Sequence, residues 1–194
     1  MSLHNDSFRP HAQPYKDQAE DDIACLSAVA CGDREAFERL YRRYYERVFR
    51  FSLRVTGRIS LVEDVVNETM LVVWRRAGEF RAAAAVSTWI FGIAYRKSLK
   101  ALARNRRSEN IDQVAETELQ VTDILDHDGI QAAIRQAVAG LSPEHRAVVD
   151  LTFHFNHSYQ EIAQILGCPV GTVKSRMFHA RAKLRPLLGH LLGD

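Results

Sequence analysis

The stretch from Ser158 to Arg185, SYQEIAQILGCPVGTVKSRMFHARAKLR, leaves few local structures open to the chain. Ile162, Ala163, Ile165 and Leu166 follow helical spacing, and Ser158 stands where an N-cap hydroxyl accepts a bond from a free backbone N–H. Gly167 ends this helix, and Pro169, with its φ preset and no N–H to lose, starts a second one that runs past Arg185. On that second helix Val173, Met177, Ala180 and Leu184 form one buried stripe, while Lys174, Ser175, Phe178, His179 and Arg181 point elsewhere. No acid occurs between Glu161 and Asp194, whereas Lys174, Arg176, Arg181, Lys183 and Arg185 crowd together, so a polyanion is the natural partner. Two helices, a tight turn and a basic second helix make the geometry that enters the major groove of DNA. An ordinary helical hairpin with a solvated basic face is the alternative.

The remainder of the chain reads as helix too, and no stretch shows the period-two alternation of a strand. A helix is expected from Asp21 to Cys31, closed by Gly32, and Asp33 caps the next, in which Phe37, Leu40, Tyr41, Tyr44, Val48, Phe51 and Val55 share a stripe up to Gly57. Ser60 and Glu63 suggest a capping box for a third helix that buries Val62, Val65, Val66, Met70, Val73 and Trp74 and stops at Gly78. After a short loop, Arg81 to Val86, Ser87 is expected to cap a helix through about Asn105. That helix ends in Arg96, Lys97, Lys100, Arg104, Arg106 and Arg107 without an acid, a second basic surface or else a solvated face.

From Ser108 to Gly129 there are seven acids and no Lys or Arg, the composition of an extended linker that avoids DNA and holds two basic modules apart. Beyond it, Ala133 to Val138 and the helix opened by Ser142-Pro143-Glu144 complete a small second domain, whose modest core should lean on partners. The expected fold class is therefore all-α, two small helical domains joined by an acidic flexible linker. The expected bounds are a mobile tail at 1–19, a bundle at 20–107, a linker at 108–129 and a helix-turn-helix domain at 130–194.

No run of eighteen apolar residues occurs and the polar N-terminus lacks a signal-peptide core, so a cytoplasmic protein without direct membrane insertion is expected. The three cysteines include no CxxC pair, which argues against disulfides and thiolate metal sites. His154, His157 and Cys168 lack a fourth ligand for zinc. There is no Gly-rich phosphate loop, His-Glu metal motif or nucleophile elbow, so the sequence names no catalytic residue, metal, cofactor or small-molecule substrate.

CPVGTVKSRMFHAR, preceded by SYQEIA, resembles the promoter-recognition helix of the extracytoplasmic-function (ECF) sigma factors of bacterial RNA polymerase, a group of the sigma-70 superfamily. VEDVVNETMLVVW resembles the segment with which those factors grip the polymerase clamp helices, and EFRAAAAVSTWIFGIAYRKSLKAL the segment that opens and reads the minus-10 element. The resemblance implies core RNA polymerase, promoter DNA and an anti-sigma factor as partners. It implies Asp64, Asn67 and Glu68 at the polymerase, the loop Arg81, Ala82, Ala83, Ala84, Ala85 to Ser87 around a base drawn out of the duplex, and Arg96, Lys97 and Lys100 beside it.

At the minus-35 element, Lys174, Ser175, Phe178 and His179 are candidates for base contact and Arg176, Arg181 and Lys183 for phosphate, with Thr172 in the same set. Alanines at 82–85 replace the usual Gly and polar residues, so those side chains cannot hydrogen-bond a base. Asn67 replaces a common Gln, Arg96 a common Asn and His179 a common Arg; arginine forks onto guanine, whereas a histidine changes charge near neutral pH. A stand-alone helix-turn-helix regulator is the alternative, and it leaves Val62 to Asn105 without a purpose.

Overall fold

The computed structural model describes residues 14–109 and 136–192, and all of the regular structure in them is helical. Helix α1, Pro14–Ala30, leads to α2, Arg34–Thr56, through Gly32, whose φ of 88° a side chain would resist. The helix therefore begins inside what the sequence suggested was a mobile tail; proline at its first position and acids in its early turns suit a helix start. Residues 1–13 lie outside the described part. Asp22 fastens α1 to α2: its buried carboxylate accepts from the Tyr44 hydroxyl at 2.5 Å and pairs with Arg43. Burial, with Asp22 beside it, pushes the Tyr44 phenol well above its ordinary pKa.

Asp33 caps α2 by accepting from the Ala36 N–H at 3.0 Å, and Gly57, at φ 68°, closes it. The expected capping box at Ser60 does not form. Ile59–Leu61 is instead a single 3-10 turn, and α3, Val62–Arg76, follows it without a side-chain cap, the Val62 N–H donating to the Ile59 carbonyl. Ser87 is likewise no cap but lies within α4, Val86–Glu109, where the Ala85 carbonyl accepts from the Trp89 N–H. Helix α4 takes up the first two residues assigned to the linker; the rest of the expected linker, residues 110–129, lies outside the described residues, as do residues 130–135.

In the second module residues 136–139 are helical. Ser142 caps α5, Pro143–Phe153, with proline at its start. Ser158 and Glu161 form a reciprocal capping box on α6, Tyr159–Leu166, which ends at Gly167 with φ 63°. Helix α7, Val170–Leu192, follows, with the Pro169 carbonyl accepting from the Val173 N–H. Its stripe Val173, Met177 and Ala180 is buried and Leu184 half-buried, as the spacing predicts.

The two modules are packed together, with α6 against α4 and α5 against α2, where the acidic stretch had suggested two domains held apart. A single apolar core runs through both. Phe51, Phe91, Leu151, Ile162 and Ile165 are all fully buried. The Phe155 ring lies 4.7 Å from that of Phe91 and 6.1 Å from that of Phe51. Each fully buried side chain of this size is worth about 1.5–3 kcal/mol, against about 0–1 kcal/mol for an exposed ion pair, so the rings decide the packing and the charges refine it. A domain this small needs neighbours to complete its core, and here the first module supplies them.

Candidate nucleic-acid interface

Turn chemistry presents the first surface. With Gly167 turning the chain and Pro169 restarting it, α7 projects Lys174, Ser175, Phe178, His179, Arg181 and Lys183 outward, all exposed. Phe178 is 69% exposed, far more than a ring of that size usually shows, and its edge meets the His179 ring at 5.6 Å. Open space surrounds Gly171, so a ligand can approach the start of the helix closely. His145, from α5, places its ring 6.4 Å from His179; burial and then Lys183 pull its pKa below the ordinary imidazole value. Arg181 lies over the Phe153 ring at 6.0 Å.

Thr172 and Arg176 are only half-buried members of the predicted set. Arg176 turns inward, 3.8 Å from the Cys168 sulfur and against Tyr95 of α4. In this arrangement it is less available to a phosphate than its neighbours.

The second surface is a cavity of about 330 Å³ at the start of α4. Arg81, Ala83, Ala84 and Arg96 line it, together with residues that sequence reasoning did not assign to it: Glu79, Phe80, Thr88, Trp89, Gly92 and Gln164. The Phe80 and Trp89 rings stand 5.5 Å apart and offer faces for stacking. Thr88 has a buried hydroxyl oxygen without a protein partner, a polar group in place of those the alanines lack. Burial, with Arg76 nearby, holds the Arg96 guanidinium below its ordinary pKa, as for a cation short of counter-charge. Ala82 adopts φ 51°, an uncommon conformation for a residue with a β-carbon. That Phe80 faces Trp89 across a loop was not visible in the sequence.

Lys97 and Lys100 differ in availability. Lys97 donates to Glu68 at 2.7 Å, which holds that carboxyl below its ordinary pKa, whereas Lys100 is exposed. The bond joins a residue assigned to the minus-10 element with one assigned to the polymerase. On the same face of α3, Asp64 is exposed and 3.7 Å from Arg104, and Asn67 accepts from the Tyr41 hydroxyl at 3.4 Å. Leu71, one turn further, is 45% exposed, an apolar patch beside the acids. Among the described residues no helix is long and apolar enough to cross a membrane.

The family model for Sigma-70 region 2 matches residues 40–108, and that for Sigma-70, region 4 matches residues 131–184. The ECF RNA polymerase sigma factor SigM of Mycobacterium tuberculosis is 36% identical over 176 residues, covering 88% of this chain and 86% of that protein. The RNA polymerase sigma-H factor of Pseudomonas aeruginosa is 31% identical over 188 residues, covering 90% and 97%. Among solved structures, CnrH in complex with the cytosolic domain of CnrY is similar with a TM-score of 0.65 and 26% identity, over 88% of this chain and 98% of that one. The sigma factor RpoE in complex with the anti-sigma factor NepR from Bartonella quintana gives 0.60 and 26%, over 79% and 96%.

Proposed function

Because the chain belongs to the ECF sigma factors of bacterial RNA polymerase, we propose that its two surfaces divide promoter recognition between them. The protein is an alternative sigma factor: it binds core polymerase, directs initiation at chosen promoters and is controlled by an anti-sigma factor. It works by binding, leaving catalysis to the polymerase, and its place is with that enzyme in the cytoplasm. Residues 20–107 serve as region 2 and 130–194 as region 4, joined by 108–129.

The observation that carries the division is the pairing, in one chain, of a ring-walled cavity beside cations with an outward basic helix. Duplex DNA offers base edges in its major groove, and α7 carries the donors, hydroxyl and ring to read them: Lys174, Ser175, Phe178 and His179, with Arg181 and Lys183 on phosphates. A melted strand offers base faces, which suit Phe80 and Trp89, and a flipped base costs a few kcal/mol, about what stacking and nearby cations return. Asp64, Asn67 and Glu68, with Leu71, form the polymerase contact.

Neither surface binds tightly alone. Held at a fixed spacing by polymerase, the second contact becomes intramolecular and raises avidity by about 10²–10⁴. The test is comigration of the purified chain with core polymerase on size exclusion, with Asp64→Lys and Leu71→Glu weakening it. A chain that elutes apart from the core enzyme overturns the proposal. The stand-alone regulator suggested as an alternative predicts such separate elution, together with tight operator binding.

A further inference from the structure

We propose that reading of the minus-35 duplex is proton-linked through His145, a residue outside every predicted contact set, which becomes an added cation of the DNA-facing surface when a phosphate settles on Lys183. This rests on the reading of α7 as the groove helix. Three rings from two helices stand in a row there. The Phe178 ring meets that of His179 at 5.6 Å, and the His145 ring, from α5, meets that of His179 at 6.4 Å and nearly at a right angle. Phe178 and His179 are exposed and His145 is half-buried, so the row leads from solvent into the packing of α5 against α7.

The surroundings favour a neutral His145 in the free chain. Burial is the first cause that holds its pKa below the ordinary imidazole value, and cations of α7 add to it, Lys183 ahead of His179 and Arg176. Glu144, beside it on α5, acts in the other direction without reversing the result. Arg146, next in the chain, turns to Gly57. Of the other helices packed on α5, α2 brings Arg54, engaged with Asp150 and His154, and α6 brings Glu161, engaged with His157 and Ser158. The His145 Nδ1 lies 2.6 Å from the Ser142 hydroxyl oxygen, which also accepts from the His145 backbone N–H at 3.4 Å. A hydroxyl donates to a bare nitrogen and accepts from a protonated one, so the ring keeps its place in either charge state while Nε2 is left for a further partner.

Duplex DNA reverses the balance. A phosphate on Lys183 sets a negative charge against the cation that most opposes protonation of His145. An opposite charge within about 4–6 Å favours the charged ring, and a rise of about one pH unit in its pKa corresponds to about tenfold in affinity. The complex then holds more of the proton than the free chain does, so affinity rises as pH falls. The gain sets in as pH passes down through the complex's higher value and is complete below the free chain's lower one.

The test is anisotropy of a labelled minus-35 duplex titrated with holoenzyme at fixed salt from about pH 8 to about pH 5.5, where imidazole changes charge. We expect the parent to gain about tenfold more across this range than His145→Gln, whose amide can bond to Ser142 but takes no proton. His145→Lys, charged throughout, should bind about tenfold more tightly than the parent at about pH 8 and equally at about pH 5.5. Calorimetry in two buffers of unlike ionisation heat counts the protons taken up on binding, and the parent should take up more than His145→Gln. Equal pH profiles for parent and His145→Gln overturn the proposal, as does a pH dependence that His179→Gln removes and His145→Gln leaves. If circular dichroism shows that neither His145 variant keeps its helix content, the parent's proton count decides. Uptake that Lys183→Ala abolishes supports the proposal, and no uptake overturns it. Duplex binding that ignores salt at every pH would instead count against the placement of α7.

Discussion

Replacing Lys183 by alanine should change how promoter binding depends on salt, and by a calculable amount. Arg181, Lys183 and Arg185 are exposed on α7 beyond the base-reading Lys174, whereas Arg176 is half-buried. Taking these three as phosphate contacts, log affinity should fall against log salt with a slope of about −2.7. Between about 50 and 200 mM salt the parent then loses about 40-fold in affinity, and Lys183→Ala, with two contacts, about 12-fold at a slope of about −1.8. At about 0.15 M salt the variant should bind about fivefold more weakly, while its ranking of promoter sequences stays the same, because a phosphate carries no sequence. The assay is anisotropy of a labelled minus-35 duplex titrated with holoenzyme at several salt concentrations. Arg42→Ala is the control, since that guanidinium is paired with Glu38 at 2.5 Å in the other module. A Lys183→Ala slope equal to the parent's, or a changed sequence ranking, would refute the placement of α7 along the phosphate backbone.

His179→Arg should gain preference for guanine in the minus-35 element by about 1–3 kcal/mol, read as altered promoter ranking in a competition assay; identical choice would remove His179 from the base-reading set. Glu161 is held down to about 2, chiefly by His157, with the Ser158 cap assisting. Because its folded value lies below its ordinary 4.5, its contribution is present above about pH 4.5 and is lost as pH falls towards 2. After screening of this half-exposed group it amounts to about 1 kcal/mol, so acid titration of stability should be shallower in Glu161→Gln than in the parent. Gly57→Ala should destabilise the chain by about 1–2 kcal/mol in urea unfolding, because alanine resists φ 68° and its methyl meets Arg146.

Local chemistry was legible and distant contact was not. Ser158, Gly167 and Pro169 announced the helix-turn-helix because caps and turns act within a few residues, and Val173, Met177 and Ala180 are buried as their spacing requires. Ser60 misled because a capping signature competes with the local backbone, and here Ser60 lies inside the 3-10 turn Ile59–Leu61 that leads directly into α3. Phe51 read as a core residue of its own bundle, and it is; nothing in its spacing tells that its ring, with that of Phe91, also receives Phe155 from the far end of the chain. The cavity was half visible, since Arg81, Ala83, Ala84 and Arg96 follow from the resemblance, whereas Phe80, Thr88 and Gln164 join it only through folding. Lys97 counted as a free cation in the sequence and turns out to be bound to Glu68.

Transcription from a randomised promoter library by purified core polymerase, with and without this chain, tests the division of labour most directly. The account predicts defined starts, each preceded by two short sequence elements at constant spacing, and none without the chain. Starts that depend on the chain but share only one element, or no common sequence at all, would contradict it.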